Sequence, residues 1–115
     1  MIRATSTAAD SAITESSGCS LTLPGVEGFT AWLSTLKIFH GPSTIAAQGT
    51  VTISGLAGGD LNIHFVQTPT STSLVDLDFG TISLQASDLN IPITVTVPAI
   101  LGGGETSILF EGGYF

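Results

Sequence analysis

The stretch IPITVTVPAI, residues 91–100, decides the fold class. Ile91, Ile93, Val95 and Val97 alternate with Pro92, Thr94, Thr96 and Pro98. Successive side chains of an extended chain point to opposite faces, so a period of two predicts a half-buried strand. Proline has no amide proton to give to a ladder and sits at strand ends, bulges or edges. Pro92 and Pro98 are read as brackets around the paired region, with protection of an exposed edge as the alternative.

The same period recurs on both sides of this stretch. In DLNIHFVQ (60–67), Leu61, Ile63 and Phe65 share one face, and Asn62 and His64 share the other. In LVDLDFG (74–80), Val75, Leu77 and Phe79 alternate with Asp76 and Asp78. Val51 and Ile53 flank Thr52, and further strands are expected at 19–23 and 106–110. FTAWLSTLKIFHG (29–41) is the ambiguous segment. Trp32, Leu33, Leu36 and Phe39 fit a helical stripe loosely. Trp32, Leu36, Ile38 and His40 fit one strand face, with Ser34 as the exception. The all-β surroundings and Ile38-Phe39 favour a strand from 30 to 40.

Turn signals separate these segments at intervals of roughly 7 to 12 residues. They are Pro24-Gly25, Gly28, His40-Gly41-Pro42, Gly55, Gly58-Gly59-Asp60, Pro69, Gly80, Asp88-Leu89-Asn90, Gly102-Gly103-Gly104 and Gly112-Gly113. The pattern predicts an all-β fold, an antiparallel β-sandwich of seven or eight strands, Ig-like or jelly-roll in topology. A true immunoglobulin domain is not supported, because no Cys-Trp-Cys signature is present. The expected organisation is an N-terminal arm over 1–18 and the sandwich over 19–115. The arm, MIRATSTAADSAITESSGCS in its context, has few large apolar side chains. It is expected to be loose in the free protein and ordered on a neighbouring molecule.

Composition narrows the function classes. The 115 residues include 13 Ser, 16 Thr and 14 Gly, while charged residues make up only 10%. That mixture suits a β-protein with an uncharged, hydroxyl-covered surface. The net charge is -7, and Arg3 and Lys37 are the only basic side chains. Nucleic-acid binding needs several cations to release counterions, so it is not expected. Anionic membrane surfaces are disfavoured for the same reason. Arg3 leads into no apolar run, and Asp10 and Glu15 interrupt the segment, so no signal peptide is read there. Synthesis in a cytosol is expected. Cys19, the only cysteine, is expected to be a passive small residue.

No constellation for chemistry emerges. Asp76 and Asp78, with Asp60 or Asp88, offer carboxylates for calcium, but no EF-hand-like loop accompanies them and a solvated face is the simpler reading. His40 and His64 lack zinc-ligand spacing; His40 is read as a turn residue and His64 as a surface residue. There is no G-x-S-x-G nucleophile elbow. Gly58-Gly59-Asp60 lacks the lysine and following helix of a phosphate loop and is read as a hairpin turn. Trp32, Tyr114 and Phe115 could make a sugar-stacking platform; core packing suits Trp32 better, and Tyr114-Phe115 are read as either tucked in or docked on a partner. No catalytic, cofactor-binding or metal-binding residue is assigned, and the chain is not expected to be an enzyme.

TVTISGLAGGDLNIHFVQ (50–67) and LNIPITVTVPAILGGGETSILFEGGYF (89–115) resemble small β-sandwich structural proteins of tailed bacteriophages in their strand and turn pattern. The resemblance covers residues 45–115 and rests on no single motif. It implies a capsid decoration or minor head protein, made in the host cytoplasm and residing in the virion. Its partner would be the major capsid protein or another virion protein, bound in many copies by a trimer or dimer. The other readings are a tail component, an extracellular filament subunit, and a carbohydrate- or receptor-binding module.

Overall fold

A computed structural model describes residues 2–10, 18–41, 46–68, 73–80, 84–100 and 105–115, with the backbone alone for 2–10 and 105. Nine strands follow in chain order: β1 (Ile2–Asp10), β2 (Cys19–Leu23), β3 (Ala31–Gly41), β4 (Ala47–Ser54), β5 (Leu61–Gln67), β6 (Ser73–Asp78), β7 (Leu84–Gln85), β8 (Ile93–Val97) and β9 (Glu105–Tyr114). They form two sheets. Sheet A runs β1-β9-β3-β6, with the two-residue β7 also on β3, and sheet B runs β2-β8-β4-β5. Every pairing is antiparallel.

The order has a simple logic. β1 pairs β9, β2 pairs β8, β3 pairs β6, and β4 pairs β5. These are nested hairpins, the outermost joining the first strand to the last. Rolling them over brings β9 against β3 and β8 against β4, which closes the two sheets. That is the jelly-roll order. It separates the two topologies left open by the sequence, because an immunoglobulin sandwich does not pair its chain ends this way.

The expected strands fall where the alternation put them. Pro92 and Pro98 flank β8 at its two ends, as brackets. The loop at Gly55, Gly58 and Gly59, all with positive φ, joins β4 to β5. At Gly55 no larger residue fits, because a Cβ would collide with the Pro92 carbonyl. Residues 2–10 of the expected arm form edge strand β1, in unbroken register with β9 from Ile2↔Tyr114 to Asp10↔Thr106. Residues 11–17 and Gly102-Gly103-Gly104 lie outside the described residues.

The core lies between the sheets. Leu33, Leu36, Ile38, Ile108 and Phe110 from sheet A meet Val51, Ile53, Ile93 and Val95 from sheet B, all fully buried. Burial of this kind contributes about 1.5–3 kcal/mol per large side chain before entropy is subtracted.

Sequence expectations are corrected at Gly112-Gly113 and at Trp32. Gly112-Gly113 is not a turn; it lies inside β9, which continues to Tyr114. A Cβ on Gly112 would strike the Trp32 carbonyl across the ladder, so glycine here serves close strand approach. Trp32 also leaves the expected face. The β3–β9 register shifts between Leu33 and Thr35, and Ser34 is the extra residue. A bulge of one residue flips the side-chain alternation. Leu36, Ile38 and His40 therefore face the core, while Trp32 is paired with Gly113 on the opposite side from Leu33.

Candidate functional site

The outer faces of the two sheets differ sharply in chemistry. On sheet B the residues between the core positions are hydroxyls, amides, one imidazole and the exposed Val66. Ser20, Thr96, Thr52 and Asn62 stand in one row across β2, β8, β4 and β5. Thr22, Thr94 and Ser54 form a parallel row. Thr50 stands opposite His64, and Gln48 opposite Val66. Among the described residues, no Asp, Glu, Lys or Arg is on this face. The hydroxyls bond to one another and to neighbours: Thr22 Oγ1 lies 3.0 Å from Thr94 Oγ1. Thr52 Oγ1 donates to Asn62 Oδ1 at 3.1 Å. β-Branched threonine both suits strands and stiffens its own hydroxyl, so the face is preorganised.

Sheet A carries charge instead. Lys37 on β3 stands opposite Asp76 on β6, and Thr35 stands opposite Asp78. Glu111 lies on the same side across β9. The Asp78 carboxylate accepts the Gly80 amide at 2.9 Å, which folds the chain out of β6. Glu27, Asp60 and Asp88 are exposed in the loops. The described acids are thus confined to sheet A and the connections.

The candidate site residues do not converge. Asp76 and Asp78 are exposed on sheet A, and Asp60 and Asp88 are exposed on loops. Among the described residues, no three of His, Cys, Asp and Glu are grouped to hold a metal ion. His64 is exposed on sheet B, as read from its strand face. His40 is not the turn residue expected. It is inside β3, 1% exposed, with Nδ1 2.8 Å from Thr106 Oγ1. Cys19 Sγ donates weakly to the Thr106 carbonyl at 3.9 Å across the sandwich. His40 and Thr106 are neighbours in the β3–β9 ladder at inward positions, which makes them a buried polar pair at one end of the core. The signal was in the alternation: the parity that turns Ile38 and Ile108 inward also turns His40 and Thr106 inward.

The aromatic platform is not assembled. Trp32 and Tyr114 are 1% and 6% exposed, and Phe115 is 47% exposed. The Tyr114 hydroxyl donates to the Pro24 carbonyl at 2.8 Å, tying β9 to the 24–30 loop. Burial pushes its phenol above the ordinary value. Trp32 Nε1 is buried and finds no hydrogen-bond partner among the described residues.

Two shallow open depressions lie on sheet B. One, about 390 Å³, is lined by Gly18, Cys19, Ser20, Thr96, Val97 and Pro98. The other, about 200 Å³, is lined by Ala46, Ala47, Gln48 and Val66. Neither lining holds a carboxylate, an imidazole or an ammonium group. Comparison with protein-family models, with curated proteins and with solved structures returns no match.

Proposed function

We propose that this chain is a structural protein of a virion, a decoration or minor head protein that binds a tailed-bacteriophage capsid lattice and stabilises it. The observation that carries this reading is the hydroxyl face of sheet B, free of formal charge on a chain of net charge -7. Docking on another protein costs least where no charge must be dehydrated. Burying threonine methyls and pairing their hydroxyls suits a flat protein surface. A rigid sandwich repeated by lattice symmetry then multiplies a weak contact. Ligand binding to the assembled shell and not to free subunits stabilises the shell by mass action.

The test is co-banding. Tagged chain is expressed in cells producing the phage particles, and the particles are separated on a density gradient. The reading expects the chain to band with filled heads at a fixed stoichiometry. Chain found only in the soluble fraction would overturn it.

A further inference from the structure

A β-sheet edge is a row of unpaired amide and carbonyl groups, and folded proteins guard such edges with charge, proline, bulges or brevity. Three of the four edges here carry such guards. β6 has Asp76 and Asp78 and a register irregularity opposite Ile38/Phe39. β2 is five residues long and runs into Pro24. β1 has Arg3 and Asp10 in its sequence. β5 has none of these. Its seven residues, LNIHFVQ, hold no charge, proline or glycine, and pair β4 in unbroken register. Among the described residues, no strand pairs along its other side.

The apolar side chains at this edge are incompletely covered. Leu61 and Ile63 face the core but are only half-buried, whereas Phe65 is buried. Val66 is 60% exposed on the outer face. A strand laid along β5 would cover Leu61 and Ile63 and continue sheet B.

We infer that β5 is the dimerisation edge of this protein, pairing antiparallel with β5 of a second copy. A second copy fits this edge because LNIHFVQ pairs with itself about His64 with core-side residues opposite core-side residues, outer opposite outer, and no charged side chain on either strand. In the register that pairs all seven residues, His64 meets His64 of the second copy. Ile63 meets Phe65 on the core side, and Asn62 meets Val66 on the outer side. Two molecules of net charge -7 repel generally, yet this edge brings no like carboxylates together. The product is an eight-stranded sheet with one uninterrupted uncharged face, and the contact is isologous as twofold symmetry requires. The inference deepens the docking reading by doubling its surface. It is tested on the isolated protein, so its failure leaves the particle co-banding result untouched.

Sedimentation equilibrium of the purified chain should show a reversible monomer–dimer equilibrium. Asn62→Lys with Val66→Lys sets two pairs of ammonium groups opposite each other in the proposed register, and both sites are exposed. The dissociation constant should rise about tenfold, with the far-UV spectrum and melting temperature retained. Asn62→Asp with Val66→Lys sets opposite charges there and should restore dimerisation to the native level or better. A protein monomeric at all concentrations would overturn the proposal. So would a dimer insensitive to the lysine pair, or one lost equally in the Asp/Lys variant.

Discussion

At the scale of single residues, Gly112 and Tyr114 show how the end of β9 is fixed. Gly112→Ala forces a methyl against the Trp32 carbonyl, a backbone atom that cannot swing away. Overpacking of this kind costs about 1–3 kcal/mol, read as a lower midpoint in urea. Tyr114 gives a pH prediction. Burial raises its phenol above 10.0, so the folded chain keeps that proton after the unfolded chain has released it. Stability is therefore full below the ordinary value and falls as pH rises from there toward the raised one. Tyr114→Phe should flatten that alkaline loss in melts taken on either side of pH 10. At neutral pH it should cost about 1 kcal/mol, because the Pro24 carbonyl loses its donor. Neither role was legible in the sequence. Gly112-Gly113 reads as a turn to any local rule, and only the Trp32 backbone across the ladder explains it. His40 was read as a turn residue because Gly41-Pro42 follows it, although its strand parity turns it inward, where it meets the Thr106 hydroxyl 66 residues away.

At the scale of elements, the strands were legible because one face of each meets the core. Alternation located β4, β5, β6 and β8, and prolines marked the ends of β8. β3 was located as a strand with the right phase from Leu36 to His40, and only Trp32 was misplaced, because the bulge at Ser34 inserts one residue that no pattern announces. Ser34 Oγ donates to the Glu111 carbonyl at 3.1 Å, which helps hold that bulge. The segment IRATSTAAD lacks an apolar stripe, so its ladder with β9 could not be read from its own sequence. This makes a specific expectation for hydrogen exchange. In the full chain, β9 amides on the β1 side should be protected as well as those on the β3 side. Removing residues 1–10 should release the first set and leave the second slow. Equal protection in both chains would show that β1 does not pair there in solution.

At the scale of the whole molecule, the sequence composition pointed to an uncharged β surface but could not say where the charges would be absent. The nested order answers that. It places β2, β8, β4 and β5 in one sheet, and their outward residues happen to be those without charge. Lys37, Asp76, Asp78 and Glu111 are all assigned to the other sheet. Such a segregation depends on which strands share a sheet, and local periodicity carries no such information. The proposal of a docking protein stands on that two-sidedness, and its most direct test changes one face at a time. Thr50→Glu with Thr96→Glu puts two carboxylates on sheet B, and Lys37→Glu alters sheet A alone. Binding to particles is measured by co-sedimentation, with folding checked by circular dichroism. The account predicts at least about a tenfold loss for the threonine pair, from dehydrating two carboxylates, and near-native binding for Lys37→Glu. Native binding by the threonine pair, or loss only with Lys37→Glu, would contradict it.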